Sequence, residues 1–253
     1  MEISLKSKIA VVTGGSGHLG RAICRTLGKC GADIAVNFLR DEKHARAIST
    51  ELRDKGLRSI SVQADITNQD SIAAMKKRIE DELGAPDIIV NNAVIQYPWK
   101  RVLEQSQLDY EGQFRSCVLH NVLMAQAFVP GMIQKKWGRV IAINTECSIQ
   151  NMPNQSAYVS GKRGMDGVLR VLAREIGEHQ ITVNQVAPGW MLSGNDIEGT
   201  DENQRLYKAN VPLRRRGRDQ DIANLVAFLA SDLAGFISGQ FISVSGGNVM
   251  PAI

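Results

Sequence analysis

The sequence predicts an α/β fold built on a doubly wound parallel sheet of seven strands, and three observations predict it. Short, nearly continuous apolar runs rich in β-branched residues alternate with longer amphipathic stretches. A strand apolar along its whole length is one covered on both faces, as parallel strands are. The helical stretches stop at glycines such as Gly31 and Gly56 and lead directly into the next strand, a βαβ alternation whose right-handed crossovers put helices on both faces. A glycine-rich turn, Thr13-Gly14-Gly15-Ser16-Gly17-His18-Leu19-Gly20, stands between the first strand and the first helix.

Ile9-Ala10-Val11-Val12 is the first strand, and helical spacing over 19–30 ends at Gly31. A second strand spans 34–38, a helix 42–55 is closed by Gly56, and a third strand spans 59–63. The helix over 71–83 is stopped by Gly84-Ala85-Pro86, and Ile88-Ile89-Val90 follows as the fourth strand. Glycine releases the backbone from the helix and proline cannot continue it. The long helical pattern over 108–133 is expected to break near Pro130-Gly131. A fifth strand covers 138–144 with Thr145 at its tip, a helix covers 156–178, and strands over 181–186 and 241–244 complete the sheet. No long linker divides these units, so residues 1–253 are expected to form a single domain, with the irregular segment 190–211 as a substrate lid.

Composition excludes several classes. Thirty basic against 26 acidic residues leave a net charge of +4, too little on a chain of 253 residues to imply nucleic acid. The run Arg214-Arg215-Arg216 with Arg218 lacks interleaved aromatics and is rejected as a nucleic-acid patch. No stretch of about 18 uncharged apolar residues and no signal-type run occurs, so a cytoplasmic, non-membrane protein is expected. Cys24, Cys30, Cys117 and Cys147 have no metal-ligand spacing and read as reduced thiols; no metal site is expected.

The chemistry begins at the glycine turn. Placed after a first strand and before a helix, it lets a phosphate approach the backbone while the helix N-terminus offers amides and a positive dipole end. Dinucleotide binding is therefore expected at Gly14, Ser16, Gly17, His18, Leu19 and Gly20. The second strand ends in Asn37-Phe38-Leu39-Arg40, with no carboxylate for a ribose 2′-hydroxyl and an arginine suited to a 2′-phosphate, so NADP(H) is favoured over NAD(H). Asp65 and Ile66 after the third strand, and Asn91 with Ala93 after the fourth, stand at sheet tips that face such a crevice.

Tyr158 and Lys162 lie four residues apart at the start of a helix and so share one face. An ammonium beside a phenol favours phenolate, which would lower the tyrosine pKa and suit it to proton exchange at a carbonyl oxygen or an alcohol.

Together these residues resemble the short-chain dehydrogenase/reductase family over essentially the whole chain: the glycine turn, Asn91-Asn92-Ala93, Thr145 thirteen residues before Tyr158, Pro188-Gly189 followed by the hydroxyl of Ser193, and Ser245-Gly246-Gly247. The 3-oxoacyl-carrier-protein reductase-like branch is the most similar. The resemblance implies a Rossmann-type core and hydride transfer between nicotinamide and a carbonyl or alcohol substrate. It implies Tyr158 as acid or base, Lys162 as its partner and ribose ligand, and Thr145 as the hydroxyl that holds the substrate oxygen. Asp65 and Asn91 would line the adenosine and ribose pockets, and Ser193 would lie near the nicotinamide amide. A homotetramer built through the helices over 108–133 and 156–178 is also implied.

Four departures stand out. His18 replaces a glycine, Val94 replaces the glycine of the Asn-Asn-Ala-Gly turn, and Thr145 replaces a serine, keeping the hydroxyl but restricting its rotamer. Cys117 occupies the place where the family keeps an asparagine that holds a relay water, with Asn121 one helical turn away as a partial substitute. A thiol is a weak donor and a poor acceptor. Cys117→Asn is accordingly expected to raise kcat in steady-state assays, and an unchanged or lower rate would show another proton route.

The substrate side draws on Ile95, Gln96, Tyr97, Trp99, Glu146, Gln150, Met152, Trp190 and Met191. An apolar or ring-bearing substrate fits these, with Glu146 and Gln96 as polar handles. Lys135-Lys136 is a minor indication of acyl-carrier-protein docking, since paired lysines are more often plain surface. The alternative reading is a dinucleotide-binding sensor or oligomer partner with little catalysis.

Overall fold

The computed structural model describes residues 2–194 and 201–251. Its first half runs β1 (Ile9–Val12), α1 (His18–Lys29), β2 (Asp33–Phe38), α2 (Glu42–Arg53), β3 (Ser59–Gln63), α3 (Gln69–Glu82) and β4 (Ile88–Asn91). There follow α4 (Gln107–Gln113), a π-helical turn over Phe114–Leu119, α5 (His120–Lys135), β5 (Gly138–Ile143), α6 (Cys147–Gln150), α7 (Ser156–Ile176) and β6 (Ile181–Pro188). The remainder is β7 (Met191–Leu192), α8 (Glu202–Asn210), β8 (Gly217–Arg218), α9 (Asp219–Ala230) and β9 (Phe241–Val244).

Seven strands form one sheet of order β3-β2-β1-β4-β5-β6-β9, and every neighbouring pair is parallel. Alternate side chains feed two apolar layers. Val12, Val36, Val90 and Ile141 pack with Ile23, Leu27, Ile222 and Val226 of α1 and α9. Val11, Ala35, Ile89 and Val140 pack with Ile79, Phe128, Met165 and Leu169 of α3, α5 and α7. Successive residues of a strand point to opposite faces, so a fully apolar run serves both layers. The chain leaves β1 toward β2 on one side and returns to β4 on the other. At that reversal the loops part and leave a crevice beyond the carboxyl ends.

The expected break at Pro130 does not occur: α5 continues through it to Lys135. Pro130 and Gln126 lie on the exposed side, where the carbonyl freed by the missing N–H can be hydrated. The helix is disturbed earlier, at the π-turn that carries Cys117. There α7 presses close, and a Cβ on Gly161 would meet the Gln113 carbonyl oxygen at 3.0 Å and Cys117 Cβ at 3.3 Å. The helical run Gln107–Lys135 is long and apolar enough to cross a membrane by composition. Part of its apolar surface lies inside the fold, where Cys117, Met124, Phe128 and Met132 are all buried.

Of the lid expected over 190–211, residues 195–200 lie outside the described residues; the rest comprises the β7 strand, paired in parallel with β8, and helix α8.

Candidate active site

The crevice is built by lacing four strand tips together. The Thr13 hydroxyl accepts from the amides of Asn92 and Ala93 at 2.9 and 3.1 Å. The Asn92 side chain donates to the Thr13 carbonyl at 2.9 Å. From β2, Asn37 accepts from the Gly14 amide at 3.2 Å and donates to the Ala64 carbonyl at 3.2 Å. These bonds hold open a cleft of about 560 Å³ lined by the turn from Gly14 to Gly20, by Arg40, by Asp65 and Ile66, and by Ala93.

The cleft fits a dinucleotide phosphate. Gly17 is the N-cap of α1 and offers no side-chain cap, so the first amides of the helix are left for a ligand or solvent. Gly14 adopts φ +61°, and Gly20 packs its Cα onto the turn so closely that a Cβ would overlap the Gly14 carbonyl. The His18 side chain is engaged on two sides: its Nδ1 accepts from Arg21 at 2.7 Å, and its ring lies against Gly194, where a Cβ would come within 2.7 Å of Nε2. The imidazole thus joins the phosphate turn to the segment after β7.

Asn91 is placed differently from its expected role. It is buried, and its side chain donates to Asn121 Oδ1 at 2.7 Å, while its neighbour Asn92 lines the cleft. Asp65 does line the cleft, and its Oδ1 also accepts from the amide and hydroxyl of Thr67 at 2.8 and 2.7 Å. Pro188 ends β6, and Gly189 and Ser193 follow it; Ser193 donates to Asp219 at 2.6 Å.

Beyond the cleft, the first two turns of α7 bring Tyr158 and Lys162 to the tip of β5. Lys162 is buried, its Nζ donates to the Ile143 carbonyl at 2.6 Å, and it stands 5.8 Å from the centroid of the Tyr158 ring. Asn144 fixes both parts, donating to the Lys162 carbonyl at 3.2 Å and accepting from the Thr145 amide at 2.9 Å. Thr145 is buried beside the phenol, its Oγ1 accepting from the Cys147 amide at 3.2 Å.

Electrostatics correct one expectation. The Tyr158 phenol stands above its ordinary pKa, first because burial opposes phenolate and then through Cys147 and Cys117, with the Thr145 hydroxyl pulling the other way. Lys162 is held below its ordinary value by burial, opposed by Cys117. Burial opposes charge on both groups, and the phenol keeps its proton. Nearby His120, whose Nδ1 donates to the Ser116 carbonyl at 3.2 Å, is pushed down to about 3 by burial and is neutral.

Cys117 is buried with its thiol directed at Gln113 Oε1, 3.5 Å away. Asn121 donates to the Cys117 carbonyl at 2.6 Å and accepts from Asn91, so its amide ties β4 to the π-turn. Sequence reasoning missed Asn92, Tyr207 and Asn248. Asn92 has a signal, since it adjoins Asn91 in the quoted turn; Tyr207 in α8 and Asn248 after β9 carry none. The arginine run is also not a surface patch throughout: Arg216 is buried, with its guanidinium 4.3 Å over the Trp190 ring.

Known proteins are similar to this chain over nearly its whole length. The family model described as enoyl-(acyl carrier protein) reductase matches residues 16–248. The 3-oxoacyl-(acyl-carrier-protein) reductase FabG of Staphylococcus aureus is 35% identical over 254 residues, which cover 96% of this chain and 99% of the relative. The reductase FabG of Pseudomonas aeruginosa is 33% identical over 249 residues, covering 98% and 100%. Among solved structures, a Serratia marcescens short-chain dehydrogenase/reductase variant matches with a TM-score of 0.89 at 27% identity, over 96% of this chain and 98% of that one. A candidate gluconate dehydrogenase from Agrobacterium tumefaciens matches at 0.92 and 27% identity, over 99% and 100%.

Proposed function

Because the chain belongs to the short-chain dehydrogenase/reductase family of NAD(P)-dependent oxidoreductases, we propose that it reduces ketones of the 3-oxoacyl type with NADP(H), or oxidises the matching alcohols. The observation that carries this reading is the convergence of Tyr158, Lys162 and Thr145 at the tip of β5, beside a cleft suited to a dinucleotide. The bound dinucleotide supplies the hydride.

The chain's own part is to position the carbonyl and move one proton. Thr145 donates a hydrogen bond to the substrate oxygen, and Tyr158, protonated at neutral pH, gives its proton to that oxygen as negative charge develops. The Lys162 ammonium stabilises the phenolate left behind. Water returns the proton to Tyr158. The Gly14–Gly20 turn would bind the phosphates, Asp65, Ile66, Asn92 and Ala93 would hold the adenosine and ribose side, and Pro188, Gly189 and Ser193 would serve the nicotinamide end.

NADP(H) is supported by the tip of β2. Arg40 is exposed at the cleft rim. The neighbouring carboxylate, Asp41, is turned to cap α2, accepting from the His44 amide at 3.2 Å and its Nδ1 at 2.8 Å. A 2′-phosphate would meet a guanidinium, and a 2′-hydroxyl would find the carboxylate nearest the β2 tip already engaged by His44. Arg40→Ala is expected to weaken NADPH binding about tenfold and leave NADH within about twofold. Fluorescence titration checks it, and equal affinities for both cofactors in both proteins would sink the preference.

A homotetramer in the cytoplasm is the setting we infer. The outer faces of α5 and α7 share an apolar hollow of about 630 Å³, with Val122, Val129, Ile133, Val168, Val171 and Leu172 around it. Two copies related by a two-fold axis can bury such a face against itself. Val171→Asp is expected to shift the particle to a smaller species in light scattering. Acyl carrier protein as a partner has less support, because Lys135 is drawn to Asp87 at 2.7 Å and to the Ala85 carbonyl at 2.7 Å.

A further inference from the structure

Glu146 follows Thr145 directly and is only 3% exposed. Sequence reasoning treats it as a handle for substrate, but both its oxygens are engaged by the chain itself. Oε1 accepts from the Tyr207 hydroxyl at 3.0 Å, and Oε2 accepts from the Asn248 side chain at 3.0 Å. Its own amide donates to the Pro188 carbonyl at 2.9 Å, joining the tips of β5 and β6.

Tyr207 extends the contact. Its oxygen accepts from the Trp190 amide at 2.7 Å, and its ring meets Trp190 edge to face with centroids 5.3 Å apart. Gly189 lies under the pair, where a Cβ would stand 2.6 Å from the Tyr207 oxygen and 3.1 Å from Glu146 Oε2. Beyond Trp190, Arg216 donates to the Met191 carbonyl at 2.5 Å and to Gln204 of α8 at 3.2 Å. Four separate segments thus meet at one carboxylate: the turn after β5, the turn after β6, helix α8 and the chain after β9.

We propose that Glu146 is a positioning residue that clasps α8 and the C-terminal segment onto the Thr145 turn, fixing the wall of the site against which the carbonyl substrate is seated. A buried carboxylate is expensive to desolvate, and burial holds this one above its ordinary pKa. Packing alone would be met more cheaply by an apolar residue. What an apolar residue cannot do is accept, from one rigid turn, hydrogen bonds from two segments distant in sequence.

The test compares Glu146→Leu, Glu146→Gln and Tyr207→Phe in the full-length protein. Glu146→Gln keeps an acceptor for Tyr207, and a turned Asn248 amide can accept from its new N–H. Hydrogen exchange across 202–210 is expected to accelerate about tenfold in Glu146→Leu and in Tyr207→Phe, stay near wild type in Glu146→Gln, and remain unchanged in α1 and β1. Unaltered exchange of α8 in Glu146→Leu, or a uniform rise through the whole protein, would overturn the proposal. In turnover of acetoacetyl-CoA, the same two variants are expected to raise the substrate KM about tenfold with the NADPH KM within about twofold, and Glu146→Gln to restore it. Parallel changes in both constants would overturn the substrate-seating role. That second arm rests on the reductase reading. A wild type without turnover would defeat that reading, while the exchange arm still decides the clasp.

Discussion

Tyr158→Phe is expected to lower kcat for carbonyl reduction about a thousandfold, with NADPH affinity within about twofold of wild type. The substitution removes one oxygen and little else. The ring remains in the first turn of α7, and Lys162 keeps its bond to the Ile143 carbonyl. What disappears is the only group proposed to hand a proton to the substrate oxygen. Burial keeps that phenol protonated, which is the form a reduction needs at the start of each turnover. Single-turnover kinetics with NADPH already bound check the expectation, because they separate the chemical step from binding and release. A loss below about tenfold would mean that Thr145 or water supplies the proton.

Gly20→Ala is expected to weaken NADPH binding at least about a hundredfold and to cost about 2 kcal/mol of stability. A Cβ at this position would overlap the Gly14 carbonyl oxygen and approach Gly15 Cα to 2.8 Å. Both obstacles are backbone, so no rotamer change relieves them. Either α1 moves away from the turn or the turn opens, and each displaces the amides that would face a phosphate. Fluorescence titration and thermal unfolding measure the two effects. A variant that binds NADPH normally would show that the turn is not the phosphate site.

The sheet was legible because its signal is redundant. Strands such as β1 and β5 are buried at every position, and a nearly continuous apolar run has few other places to go. Tyr158 and Lys162 were legible for a related reason: their spacing fixes their proximity once the helix exists. The errors came where tertiary contacts decide. Pro130 looked like a breaker, yet it sits on the exposed side of α5, where its missing hydrogen bond is inexpensive. The π-turn at Cys117 had no local mark, because it forms where α7 approaches at Gly161. At Tyr158 the sequence shows the lysine but not the burial, which raises the phenol and lowers the ammonium. Glu146 looked like a free polar group because Tyr207 and Asn248 are remote in sequence, and Arg216 was lost in a run of arginines although it stacks on Trp190.

The central claim, that this site moves a hydride to a carbonyl, is tested most directly by tracing the hydride itself. NADPH carrying deuterium at the transferring position is incubated with the wild-type protein and a 3-oxoacyl thioester, and the alcohol product is analysed by mass spectrometry. The account predicts one deuterium on the new carbinol carbon, and none in Tyr158→Phe over the same time. NADPH that binds tightly while no ketone, β-ketoester or 3-oxoacyl thioester acquires deuterium would contradict it.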